Sequence, residues 1–231
     1  MFATRHTGSP SPTAEVSKKF GYGGVNEFIT PLIVLVWGCL IAVGFIALLF
    51  YHNTPGTRSD SNPVWQVNRL IELDPSRANL LVFIHPQCPC STATMGELAR
   101  IQAACGSNVL THLILYQPDN EKWSTASMMA QAIEIPNLHI LADPKGNLAK
   151  QFGAETSGHA MLFAPDGHRI FSGGITAGRG CEGDNPGRQA VISYVNQHQV
   201  FCDKASVYGC PIVEGLTAKR TETKEPARAI E

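Results

Sequence analysis

The sequence predicts an α/β domain, a mixed sheet with helices on both faces, preceded by a single transmembrane helix. Two observations lead there. One is a run without a charged residue or histidine from Phe28 to Tyr51. The other is the order of patterned segments after residue 64: strand and helix alternate three times, then a hairpin and a last helix follow. That order describes a mixed sheet covered on both faces. The chain has 231 residues, 44% apolar and 16% charged, with a formal net charge of -1. An apolar fraction of that size excludes long charged disorder and collagen-like repeats. A near-zero charge leaves no electrostatic footprint for nucleic acid, so no such partner is expected.

The apolar run reads FITPLIVLVWGCLIAVGFIALLFY (28–51). About 20 residues of α-helix cross the hydrocarbon core, and this run is long enough. Pro31 falls in its first turn, where a missing N–H costs little. A cleaved signal peptide fits less well, because the run exceeds the roughly 7–15 apolar residues of such a segment and no small-residue cleavage site follows. Lys18 and Lys19 precede the run closely, whereas Arg58 and Arg69 follow at a distance. This bias places the N-terminus in the cytoplasm and the C-terminal domain outside it, as for a single-pass protein of the inner membrane. The expected organisation is a flexible cytoplasmic tail (1–27), the membrane helix (28–51), a polar linker (52–63), one domain (64–215) and a disordered tail (216–231).

Within the domain, NLLVFIHP (79–86) is a short apolar run ended by proline, as expected of a buried strand. The turn Cys88-Pro89-Cys90-Ser91 leads into the helical stretch STATMGELARIQAAC, whose Met95, Leu98 and Ile101 share roughly one face. VLTHLILYQ (109–117) is a second strand. EKWSTASMMAQAIEI (121–135) reads as a helix stopped by Pro136, and LHIL (138–141) as a third strand. A turn at Asp143-Pro144-Lys145-Gly146 precedes a short helix, NLAKQFG. HAMLFAPDGHRIFSGGIT (159–176) has the pattern of a hairpin turning at Pro165-Asp166-Gly167. GDNPGRQAVISYVNQ (183–197) closes the domain as a helix, N-capped by Asp184 or Asn185.

The segment LLVFIHPQCPCSTATMGEL resembles the active-site segment of the thioredoxin superfamily: an apolar strand, a cysteine turn, then a helix with an acidic-leucine pair. LHILADPKGNLAKQFG and AMLFAPDGHRIFSGG resemble later segments of the membrane-tethered periplasmic branch of that superfamily, with its peroxiredoxin-like relatives. The resemblance implies a thioredoxin-like fold over roughly residues 64–199. It also marks departures. Ser91 stands where the second cysteine of Cys-x-x-Cys would be, Cys90 comes one residue early, and His159 holds the place of the family's cis-proline. Sco-type copper chaperones are similar too, in their membrane anchor, paired cysteines and a histidine just before a hairpin strand. That similarity implies copper(I) held by Cys88, Cys90 and His159, although the chaperones space their cysteines Cys-x-x-x-Cys.

A cysteine at a helix N-terminus meets unpaired N–H groups and the positive end of the helix dipole, which favour thiolate. Cys88 is therefore the expected nucleophile. Cys90 then has two open roles. It resolves a mixed disulfide formed at Cys88, or both sulfurs bind a soft metal with His159 as third ligand. His85, beside the turn, is a candidate for tuning the thiolate or moving its proton, as is His159. Cys202 and Cys210 bracket a short loop, and in an oxidising compartment a structural disulfide is the default for such a pair. Free or metal-bound thiols are the alternative. Cys105 ends an apolar helix face and is expected in the core, while Cys39 faces lipid or a partner helix. Cys181 lies in the glycine-rich GGITAGRGCEGDNPGR, read either as a flexible loop or as a lid bringing a distant thiol.

Three functions follow from these readings. The leading one is a membrane-anchored thiol redox protein that acts on protein thiols or disulfides and needs no cofactor. The others are a copper(I) protein that hands metal to a copper-accepting partner, and a non-catalytic docking module.

Overall fold

The computed structural model describes residues 29–57, 64–66, 70–117 and 126–212. The expected tails, residues 58–63 of the expected linker and the start of the helix expected from Glu121 lie outside these residues.

The apolar run forms helix α1 (Ile29–Asn53), 25 residues long and apolar enough to cross a membrane, with none of its residues buried. It extends past the expected end at Tyr51 because side chains cap its last carbonyls. Asn53 Nδ2 and Thr54 Oγ1 donate to the carbonyls of Leu49 and Phe50 at 2.9 and 2.6 Å, and Pro55 follows. Two compact units divide at Ala47–Leu48, and the second contains the sheet.

Five strands make that sheet: β1 (Ala78–Ile84), β2 (Val109–Gln117), β3 (Leu138–Pro144), β4 (His159–Phe163) and β5 (Arg169–Gly174), in the order β3-β2-β1-β4-β5. The first three run parallel; β4 is antiparallel to β1, and β5 to β4. Strand β1 lies in the middle with every residue buried, which is why it reads as an unbroken apolar run. Its Leu80, Val82 and Ile84 face α2 (Ser91–Cys105), α3 (Ala126–Ile133) and α5 (Pro186–Gln197), whereas Leu81 and Phe83 face α4 (Asn147–Phe152). Helices thus cover both faces, as the segment order predicts.

Strand β3 is longer than the expected LHIL because its pairing with β2 continues to Gln117 and Pro144. Asp143, near that end, is buried and accepts the backbone N–H groups of Leu148 and Ala149 at 2.9 Å each, satisfying the first turn of α4. Asn185 is the N-cap of α5, with Oδ1 accepting from the Arg188 N–H at 2.7 Å; Asp184 instead pairs with the Arg188 guanidinium at 2.9 Å.

Glu97 ties three segments together from the middle of α2. Its fully buried carboxylate accepts from Arg100 at 2.6 Å, from the Gly183 N–H at 2.7 Å and from Arg188 of α5. The loop between β5 and α5 is thereby fastened to the helix that begins at the cysteine turn. Glu97→Ala leaves Arg188 without that partner and is expected to lower unfolding stability by about 3 kcal/mol, read as a shift in the denaturant midpoint.

His112 of β2 is buried beside His139 of β3, with ring centroids 5.4 Å apart. Burial, aided by the charges of His139 and Arg77, pushes its pKa down to about 4 from 6.5. The neutral ring is favoured in the folded state, so this contribution is complete above pH 6.5 and is lost as the pH falls through about 4. The loss amounts to about 3 kcal/mol, and His112→Leu is expected to flatten the acid limb of a stability-versus-pH curve.

Candidate functional site

The site is built at the carboxyl end of β1. The chain leaves Ile84 and makes two successive turns, closed by Cys88 N–H to the His85 carbonyl and Ser91 N–H to the Cys88 carbonyl, both at 3.0 Å. Cys90 is the N-cap residue of α2 in helical conformation. Ser91, buried at the first turn, donates from Oγ to the His85 carbonyl at 3.0 Å and lies 3.1 Å from Ser157 Oγ. Ser157 Oγ also accepts the His85 N–H at 2.9 Å. The position that the resemblance marks as departing from Cys-x-x-Cys therefore holds a hydroxyl that locks the turn to the loop before β4.

Three thiols meet here: Cys88, Cys90 and Cys210. Cys88 is 4% exposed, and Cys90 and Cys210 are half-buried. The Cys210 N–H points at Cys88 Sγ from 3.4 Å. Burial alone would push the Cys88 thiol up. Hydrogen bonds from the backbone and thiol of Cys210, and from the backbone and thiol of Cys90, outweigh burial and hold Cys88 below the ordinary cysteine range. The donors move the other way. Cys90 is raised by burial, by the Cys88 charge and by the bond it donates to Cys88. Cys210 is raised to about 11 by burial, that same donation and the charges of Cys88 and Cys90. Arg179 opposes both rises, and the Gly180 N–H opposes that of Cys90. The cluster can hold one thiolate with two neutral thiols donating to it.

The glycine-rich loop thus reaches the site, through Arg179 and Gly180 rather than through its cysteine. Cys181 is exposed and donates to the Arg179 carbonyl at 3.5 Å. Arg179 Nη1 donates to the Gly209 carbonyl at 2.7 Å, next to Cys210.

The expected Cys202–Cys210 disulfide is not formed; both are free thiols. Cys202 Sγ lies 3.7 Å from the Pro186 carbonyl, while Cys210 turns to Cys88, because residues 209–212 pair with the loop before β4. His159, on β4, is fully buried with Nε2 2.9 Å from Ser172 Oγ of β5. His85 stacks on Tyr116 of β2, with centroids 5.4 Å apart, and its Nδ1 accepts from the Gln87 N–H. Among the described residues there is no group of three His, Cys, Asp or Glu that could hold a metal ion. Cys105 is buried in the core as expected, its thiol pushed up to about 11 by burial.

Sequence reasoning missed Cys210 and Arg179 as site residues. The available signal was the run VYGCPIV (207–213), whose apolar residues after the last helix have no partner in the chain order. Val207 and Ile212 are both buried.

No protein-family model and no curated protein sequence matches the chain. Among solved structures it is similar to a hypothetical protein of Sinorhizobium meliloti, with 20% identity and a TM-score of 0.51 over 69% of this chain and 93% of that one. An uncharacterized conserved protein of Geobacillus kaustophilus matches with 18% identity and a TM-score of 0.51 over 70% and 94%. The exposed lipoprotein thioredoxin of Streptococcus pneumoniae follows at 15% identity and a TM-score of 0.39, over 54% and 87%. With its strand order, its helices on both faces and its cysteine turn between β1 and α2, the domain has the thioredoxin-like fold.

Proposed function

We propose that this chain is a membrane-anchored thiol redox protein in which Cys88 of the Cys-Pro-Cys turn is the nucleophile. The observation that carries the reading is the Cys88 sulfur itself, set at the start of α2 with the Cys210 N–H aimed at it from 3.4 Å. A thiolate favoured in this way attacks disulfides at neutral pH. Cys90 and Cys210 both stand against it, and either supplies the second sulfur of a redox pair. Helix α1 anchors the protein, and the lysines before it favour a cytoplasmic N-terminus with the domain on the oxidising side.

Three measurements test the reading. Cys88→Ser in the detergent-solubilised full chain is expected to abolish thiol-disulfide exchange with oxidised glutathione, while Cys181→Ser leaves the rate unchanged. Full activity in Cys88→Ser would remove the proposal. Thiolate ultraviolet absorbance, compared between wild type and Cys88→Ser, is expected to assign Cys88 a midpoint below the roughly 8.5 of free cysteine. Its thiolate, and with it the exchange rate, then develops as pH rises through that lowered value. Finally, the protein is expected to stay with membranes through an alkaline carbonate wash; release into the supernatant would contradict the anchor.

A further inference from the structure

Residues 203–212 run as a strap from the edge of the sheet to the cysteine turn. The strap starts beside β5, where the Ser172 N–H donates to the Asp203 carbonyl at 2.9 Å and Ser172 bridges Lys204. Gly173 and Gly174 let it lie close. A Cβ at Gly173 would sit 2.5 Å from the Ala205 N, and one at Gly174 would collide with the Ser206 carbonyl oxygen. The strap then pairs antiparallel with the loop before β4. The Ser157 N–H donates to the Cys210 carbonyl and the Ile212 N–H to the Glu155 carbonyl, both at 2.8 Å, with a bridge between Thr156 and Pro211. Arg179 holds the Gly209 carbonyl, and Ile212 is buried in the core on the α4 face. Cys210 is therefore fixed on both sides by backbone pairing, with its N–H on the Cys88 sulfur.

We propose that Cys210, 122 residues away in sequence, is the second sulfur of the redox pair, closing a Cys88–Cys210 disulfide in preference to Cys88–Cys90. The inference rests on the thiol redox reading above and names its resolving residue. Cys88 and Cys90 belong to one tight turn, with the Cys88 carbonyl bonded to Ser91 and the Cys90 carbonyl bonded to Thr94 at 3.4 Å. A bond between them closes a ring around the single residue Pro89 and pulls Cys90 out of its capping conformation. Cys210 approaches from another element and carries no such constraint.

The Cys88 thiolate attacks a substrate disulfide, forming a Cys88–substrate bond and releasing one substrate thiolate. The Cys210 sulfur then attacks the Cys88 sulfur, the Cys88–Cys210 bond forms, and the second substrate sulfur leaves with the proton that Cys210 gives up. Two electrons pass from the Cys88 and Cys210 sulfurs to the substrate.

Cross-link mapping distinguishes the two disulfides. The reduced full chain in detergent is treated with oxidised glutathione, its free thiols are blocked, and it is digested without reduction for mass spectrometry. A Cys88–Cys210 peptide pair is expected in the wild type and in Cys90→Ser. In Cys210→Ser that pair is lost and the Cys88–glutathione adduct accumulates. The wild-type and Cys90→Ser maps separate the two pairings even if Cys210→Ser folds poorly. A Cys88–Cys90 pair with Cys210 blocked as a free thiol overturns the inference and leaves the redox reading standing. Absence of any adduct or disulfide at Cys88 overturns both.

Discussion

The site depends on hydrogen bonds converging on one buried sulfur. Burial works against a charged Cys88, and in an apolar enclosure the neutral thiol would win. The Cys210 N–H, aimed at the sulfur from 3.4 Å, works the other way, and with the neighbouring groups of Cys90 and Cys210 it holds Cys88 below the ordinary cysteine range. Hydrogen bonds to an ionised acceptor are roughly twice as strong as neutral ones, and low local polarity strengthens them further. Burial and the nearby Cys88 charge push the Cys90 and Cys210 thiols up, so ionisation is favoured first at Cys88.

Holding those donors in place occupies several distant parts of the chain. Cys90 is placed by the turn into α2. Cys210 is placed by the strap, which needs both the bare backbone of Gly173 and Gly174 and the open edge of the loop before β4. Arg179 fastens the strap through Gly209, and its own loop is fastened to α2 through Glu97 and the Gly183 N–H. Helix α2 therefore supplies the turn at one end and anchors, from its middle, the loop whose arginine steadies the third thiol. His159 Nε2 lies 2.9 Å from Ser172 Oγ across β4 and β5, and His85 stacks against Tyr116 of β2.

The fold was largely legible in the sequence because its segments carry local signals. The buried middle strand is an unbroken apolar run, proline and glycine mark the hairpin turn, and Asn185 with Pro186 marks the start of α5. Boundaries moved where pairing with a neighbour decided them, as at β3, or where side chains capped a helix end, as at Asn53. Half of the site was legible as well. The cysteine turn announces itself by its place between a strand and a helix, and Cys88 and Cys90 can be named from that alone.

Composition and periodicity by themselves determined the apolar helix, the α/β class and the cysteine turn, since each depends on residues close together in the chain. Only the tertiary structure decided which thiol faces Cys88. The Cys202–Cys210 pairing suggested by proximity in sequence gave way to a contact across 122 residues, because backbone pairing of the strap with Glu155–Ser157 sets the direction of Cys210. That pairing uses main-chain groups common to every residue, so no side-chain pattern records it.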